Sequence, residues 1–186
     1  MKKGSFIAFS LILILVAFPG SLPAEEGAYR IGPGDEIEIS VWKDANLTRQ
    51  IVVPPDGVIT FPLIGDVDTK TLTIADLRKI ITEKLGTYIK TPSVTVILVK
   101  PSSLIAYVVG KVNQPGQYAI NMDTTVIQIL AMAQDLNPFA SAGNITILRT
   151  ENGETKTIPF DYNEVKKGKN LQQNIVLKRG DVVIVP

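Results

Sequence analysis

The sequence predicts an α+β fold, with two small domains of mixed strands and one principal helix in each. Three observations predict it. Short segments alternate apolar and polar residues, as half-buried strands do. Two longer segments repeat apolar residues at helical spacing. Between the two sets lies the break Pro101-Ser102-Ser103, which separates a first domain over 25–101 from a second over 102–186.

A leader precedes both domains. Lys2 and Lys3 form a basic start, Phe6 to Phe18 is apolar apart from Ser10, and Pro19-Gly20 ends any helix. Ser21-Leu22-Pro23-Ala24 then offers a small residue for cleavage before Glu25. This is the order of a secretory signal peptide over residues 1–24. Its apolar core is shorter than the roughly 20 residues that a spanning helix needs, so an uncleaved anchor is the lesser reading.

In the first domain, Ile37, Ile39 and Val41 alternate with Glu36, Glu38 and Ser40, giving a half-buried strand from Glu36 to Trp42. Asn46 to Arg49 reads as a loop. Gln50 to Val53 reads as a short strand, joined to Val58 to Phe61 by a tight hairpin turn at Asp56-Gly57. The helix runs from Thr73 to Tyr88, with Thr73 as N-cap and Asp76 three residues on. Ile74, Leu77, Ile81, Leu85 and Tyr88 form its apolar face, and Pro92 stops it. Val94 to Val99 is a β-branched strand.

In the second domain, strands are expected at Leu104 to Val109, Gln117 to Ile120, Asn144 to Thr150, Glu154 to Pro159 and Asp181 to Val185. Asn152-Gly153 is a hairpin turn between the third and fourth of these. The helix covers Thr124 to Gln134, with Thr125 and Gln128 in capping-box spacing and Val126, Ile129, Leu130 and Ala133 on one face. One internal echo stands out. Gly34-Asp35-Glu36-Ile37 opens the first strand and Gly180-Asp181-Val182-Val183 opens the last, which is shared turn chemistry rather than a repeat.

Composition excludes several classes. Nineteen basic against 18 acidic residues among 186 leave a net charge of +1, which gives no electrostatic case for nucleic acid. There is no Cys and no His. The first absence rules out disulfides, thiolate metal sites, Cys nucleophiles and a lipid-bearing cysteine. The second removes the commonest general base and metal ligand. No catalytic, cofactor-binding or metal residue is therefore assigned, no cofactor is expected, and the chain reads as a non-enzyme.

The remaining motifs have plain readings. Asp35, Glu36 and Glu38 form an acidic cluster of the kind that runs glycoside chemistry, but Glu36 and Glu38 sit two apart on a solvent face. Lys166, Lys167 and Lys169 suit a polyanion, but read better as a solvated loop. Trp42 and Tyr118 could stack on sugars, although Trp42 reads better as a core edge. Asn46-Leu47-Thr48 and Asn144-Ile145-Thr146 fit a glycosylation acceptor that is frequent by chance. Pro33 lacks the backbone donor that a phosphate loop at Gly32-Pro33-Gly34 would need.

Taken in order, several of these segments resemble the outer-membrane polysaccharide export family. They are Tyr29-Arg30-Ile31-Gly32-Pro33-Gly34-Asp35, Val41-Trp42, Asp56-Gly57, Phe61-Pro62-Leu63-Ile64-Gly65, Leu72-Thr73 and Thr91-Pro92-Ser93-Val94. The second half is similar to the family's soluble-ligand-binding β-grasp module. There the matching segments are Val109-Gly110-Lys111-Val112, Pro115-Gly116-Gln117-Tyr118, the helix from Thr125 to Ala133, and Leu177 to Pro186. The resemblance implies a β-grasp-like second domain and a component of capsular or extracellular polysaccharide export. It also implies a homo-oligomeric ring in the periplasm at the outer membrane, with an inner-membrane copolymerase as partner. Without Cys the family's lipid anchor is not expected. With the sequence closing at Pro186 on a strand, a separate outer-membrane β-barrel is expected to complete the conduit. The other readings are a monomeric periplasmic module that binds glycan or a small ligand and, less favoured, a carboxylate-only polysaccharide-processing enzyme.

Overall fold

The computed structural model describes residues 28–151 and 153–186. The expected leader lies outside the described residues, as does Asn152 of the expected Asn152-Gly153 turn.

The first domain comprises β1 (Glu36–Val41), β2 (Asp44–Val52), β3 (Val58–Phe61), β4 (Gly65–Asp68), α1 (Ile74–Leu85) and β5 (Val94–Lys100). Strand β1 is central in a three-stranded sheet ordered β2-β1-β5, antiparallel to both neighbours. Its predicted alternation holds, with Ile37, Ile39 and Val41 buried and Glu36, Glu38 and Ser40 half-buried. Leu77, Ile81 and Leu85 of α1 join those residues in one core, together with Ile59, Phe61 and Val67. The α1 cap is reciprocal. The Asp76 N–H donates to Thr73 Oγ1 at 3.1 Å and the Thr73 N–H donates to Asp76 Oδ2 at 3.0 Å.

Four expectations for this domain need correction. The stretch Asn46 to Arg49 is not a loop but the interior of β2. Its one buried apolar residue is Leu47, too little to show alternation, and pairing with β1 recruits it across a register shift between Ile39 and Val41. Asp56-Gly57 is a turn, with Asp56 Oδ1 accepting the Val58 N–H and Gly57 at φ +71°, but it does not close a hairpin. Strand β3 pairs instead with β4, which only Val67 could have announced, around Pro62-Leu63-Ile64. The helix stops at Leu85, because Gly86 favours an end over a further turn, and Tyr88 is left exposed. Trp42 is no core edge. Strand β1 ends at Val41, and Trp42-Lys43 forms the two-residue connection to Asp44, with the indole 74% exposed.

The second domain comprises β6 (Ile105–Gly110), β7 (Gly116–Ala119), α2 (Val126–Met132), β8 (Ile145–Glu151), β9 (Glu154–Phe160), α3 (Tyr162–Lys166) and β10 (Val182–Val185), with a 3-10 turn over Leu171–Gln173. The five strands are ordered β7-β6-β10-β8-β9. The last strand enters the middle of the sheet, parallel to β6 and antiparallel to β8. Helix α2 covers one face through Val126, Ile129, Leu130 and Ala133, all buried as expected, against Ala106, Val108, Ile145, Ile147, Val183 and Val185. A helix on one face of a mixed sheet makes this domain β-grasp-like. Gly110 sits at φ +96°, where a Cβ would collide with the Val185 carbonyl oxygen of the parallel pair. The other face of the sheet, with Ile105, Tyr107, Val109, Leu148, Val182 and Ile184, is covered by no described helix. Helix α3 and the 3-10 turn were not expected, being too short for a periodic signal. Lys166 lies in α3 with its ammonium 5.6 Å from the Tyr162 ring centroid, and Lys167 pairs with Glu164 at 3.5 Å.

Candidate functional site at the domain junction

The turn Gly32-Pro33-Gly34-Asp35 builds the junction between the domains. Gly34 takes φ +87°, and the Asp35 N–H closes back onto the Gly32 carbonyl at 3.1 Å. This turns the Asp35 carboxylate inward, where it is fully buried. Its Oδ2 accepts the Gly32 N–H at 2.7 Å and the Tyr29 hydroxyl at 2.6 Å. Its Oδ1 accepts the N–H of Ser103, the residue that leads into β6, at 2.7 Å. One buried carboxylate thus holds both domains by three donors, and charge-assisted bonds of this kind are the strong ones. Ser103 Oγ also lies 3.0 Å from the Tyr29 hydroxyl.

A second tie comes from the far end of the chain. The Arg179 guanidinium lies 5.8 Å from the Tyr29 ring centroid, and its Nη2 donates to the Arg30 carbonyl at 2.6 Å. Gly32 has no room for a side chain, because Arg179 and Ser103 Oγ press against it.

The echo seen in the sequence is one turn built twice. Gly180 sits at φ +81°, the Asp181 N–H reaches the Lys178 carbonyl at 3.1 Å, and Asp181 Oδ2 accepts the Lys178 N–H at 2.8 Å. Asp181 differs in its cross-chain partner, which is Arg149 of β8 in a bidentate pair at 3.0 and 2.7 Å. Each Gly-Asp turn therefore aims a buried carboxylate at a distant segment. Asp35 fastens the domains together, and Asp181 fastens β8 to the approach of β10.

Between the domains lies a cleft of about 480 Å³ with Leu104, Met122 and Val176 on its walls and Arg30, Lys70, Lys178 and Arg179 at its rim. Of these cations Arg179 reaches across the junction, while Arg30 and Lys178 bond within their own domains. Arg30 donates to the Thr71 carbonyl, Arg179 to the Arg30 carbonyl, and Lys178 pairs with Glu151 at 2.7 Å. The arrangement fastens the two domains together. The acidic cluster read from the sequence does not assemble. Asp35 is withdrawn into the junction, while Glu36 accepts the Gln50 amide at 2.7 Å on the outer face of the sheet. Tyr118 is half-buried, with its hydroxyl donating to the Gln114 carbonyl. Among the described residues, no group of three or more Asp, Glu, His or Cys is placed to hold a metal ion. Sequence reasoning missed Ser103 and Arg179 as junction residues. Their only signal is that each stands beside a turn.

Burial, and then the bond to Asp35, push the Tyr29 hydroxyl up to about 12. The folded state thus holds this proton more tightly than the unfolded chain. The stabilisation is complete below pH 10 and is lost as pH rises through 12. The melting temperature should therefore fall between pH 10 and 12, and Tyr29→Phe should flatten part of that fall. Identical alkaline profiles for the two proteins would show that Tyr29 does not titrate with folding.

The comparison with known proteins meets this geometry on both sides of the junction. Residues 23–99 match the family model of polysaccharide biosynthesis/export proteins, and residues 105–185 match that of the SLBB domain. The chain belongs to the outer-membrane polysaccharide export family. It is 30% identical to the EPS I polysaccharide export outer membrane protein EpsA of Ralstonia nicotianae, over 89% of this chain and 49% of that protein. It is 26% identical to the polysialic acid transport protein KpsD of Escherichia coli, over 59% of this chain and 20% of that one. The chain thus spans about half the length of EpsA. Both Gly-Asp turns fall inside the matched regions, Asp35 in the export module and Asp181 in the SLBB module. The family is one of export proteins rather than of enzymes.

Proposed function

We propose that this chain is an envelope component of capsular or extracellular polysaccharide export, delivered by its leader to the periplasm and working at the outer membrane. Identical copies stand side by side as a ring or collar, and the lumen guides the polymer passively. An inner-membrane copolymerase feeds the ring, and a separate outer-membrane β-barrel completes the path. The modules meet at Pro101–Ser102. The observation that carries this reading is the joining of an export module to an SLBB module in one chain. The Asp35 junction supports it, since a ring closes only when every copy holds the same angle. So does the uncovered apolar sheet face around Tyr107 and Val109, a surface suited to side-by-side packing.

Deletion of the coding sequence should abolish secretion of the polysaccharide into the medium, and the wild-type chain should restore it. The purified protein should sediment as a closed oligomer, and Val109→Glu should shift it to monomer by burying a charge in the interface. Undiminished secretion in the deletion strain would overturn the export reading. A wild-type monomer at every concentration would replace the ring by the monomeric glycan- or ligand-binding module.

A further inference from the structure

The single tryptophan of the chain occupies an unusual place. Val41 pairs with Asp44, so Trp42-Lys43 is a two-residue hairpin connection, a position that favours small residues such as Asn and Gly. Lys43 accepts φ +63° there without being glycine. The Trp42 N–H is held by the Ser93 carbonyl at 2.9 Å, so the backbone under the indole is fixed. The indole itself is 74% exposed and contributes nothing to the core.

Nor does the indole project alone. It walls an open cleft of about 480 Å³ whose other lining includes the hydroxyls of Ser40, Thr48, Ser93 and Thr95. These hydroxyls share a face for a reason of register. Ser40 of β1 and Thr95 of β5 stand opposite one another, and Trp42 follows in the turn just past the end of β1, walling the same cleft. The same face continues through Glu38, which stands opposite Gln50 of β2, to Glu36. From Trp42 to Glu36 the stripe runs roughly 20 Å at strand rise, longer than one sugar ring.

We propose that Trp42 and this stripe form a subsite for an uncharged stretch of the exported polysaccharide. The proposal rests on the export reading and adds to it the contact residues and the class of sugar. The apolar C–H face of a pyranose stacks on an indole, while its rim of hydroxyls needs short donors and acceptors beside the ring. Trp42 supplies the first, and the Ser and Thr hydroxyls with Gln50 supply the second. Charge selects the sugar. Lys43 offsets Asp44 at the tryptophan end, and Lys100 of β5, opposite Glu36, offsets that carboxylate at the other. Glu38 thus leaves the stripe with a net negative charge at its middle, which disfavours uronic acids and other anionic residues. The open shape suits a polymer that must slide through rather than stay, since few buried contacts give weak, quickly reversed binding.

Because Trp42 is the only tryptophan, its fluorescence reports this site and no other. The test uses the polysaccharide secreted by cells that carry this chain, cut to oligosaccharides and split by anion exchange into uncharged and anionic fractions. The uncharged fraction should change the emission of the full mature chain saturably in the millimolar range. The anionic fraction should bind at least about tenfold more weakly at low salt. In calorimetry, Trp42→Ala should weaken binding of the uncharged fraction about tenfold, and Trp42→Phe should recover part of it. No change in emission with either fraction, preference for the anionic fraction, or equal affinity in Trp42→Ala would each overturn the proposal. So would a Trp42→Ala protein whose sole defect is loss of the oligomer, because the indole would then belong to a contact between copies. Secretion by the deletion strain, measured alongside, separates failure of this subsite from failure of the export reading.

Discussion

Ile129→Asp should unfold the second domain. Ile129 is fully buried on α2, between Val126 and Ala133, against the sheet. Removing the isoleucine side chain alone costs about 2–5 kcal/mol in a packed core. A carboxylate in the same place must stay unpaired or take a proton, and either adds several kcal/mol. The sum rivals the whole stability of a small domain, about 5–15 kcal/mol. Circular dichroism of the full chain in urea should show the second domain unfolded before denaturant is added, with the first domain's transition kept. Met132→Asp is the control. It lies on the same helix but is 43% exposed, so it should shift the midpoint by no more than about 0.5 kcal/mol in stability. An unchanged midpoint for Ile129→Asp would mean that α2 does not pack through this face.

That helix was legible because its signal is local. Val126, Ile129, Leu130 and Ala133 fall on one face by spacing alone, and Thr125 and Gln128 announce where the helix begins. Strand β1 was legible for the same reason, since its alternation is complete within six residues. Strands β2 and β4 were hidden because each keeps a single buried residue in its obscured part, Leu47 and Val67. Their extended shape comes from partners elsewhere in the chain. The pairing of β3 with β4 rather than β2 was hidden for a related reason, because the Asp56-Gly57 turn obeys local chemistry without joining the strands beside it.

The site divides along the same line. The two Gly-Asp turns were visible as turns, because glycine at positive φ and an aspartate accepting a nearby N–H are local needs. What the carboxylates do with their remaining capacity was not visible. The bond from Ser103 to Asp35 spans 68 residues, and the bond from Arg149 to Asp181 spans 32. No spacing rule encodes such a pair. Trp42 failed in another way. An aromatic residue after an alternating strand predicts a core edge from hydrophobicity, and the structure places it in a two-residue turn instead. Where a large apolar side chain departs from the pattern that packing dictates, a role in binding becomes the better explanation, since the fold gains nothing from it.

Asp35→Ala should loosen the chain at its domain junction. The substitution strips the acceptor from the buried N–H groups of Gly32 and Ser103 and from the Tyr29 hydroxyl. The hydroxyl can turn to Ser103 Oγ, 3.0 Å away, but the two amides have no such alternative in the junction. Each unsatisfied buried donor costs about 1–3 kcal/mol, so the two amides together should cost about 2–6 kcal/mol. Asp35→Asn should recover little of it. Its oxygen can serve one side of the junction, but its NH2 would then face a donor on the other. The loss should appear at the junction first. Hydrogen exchange at the Ser103 amide should accelerate while the amides of β8 and β10, held through Asp181 and Arg149, keep their protection. If the copies form the proposed ring, secretion in cells should fall although the protein is present at normal level, because copies that no longer share one angle cannot close it. Wild-type exchange at Ser103 in the alanine variant would show that the Asp35 carboxylate does not hold the domains together, and would remove the junction from the export mechanism.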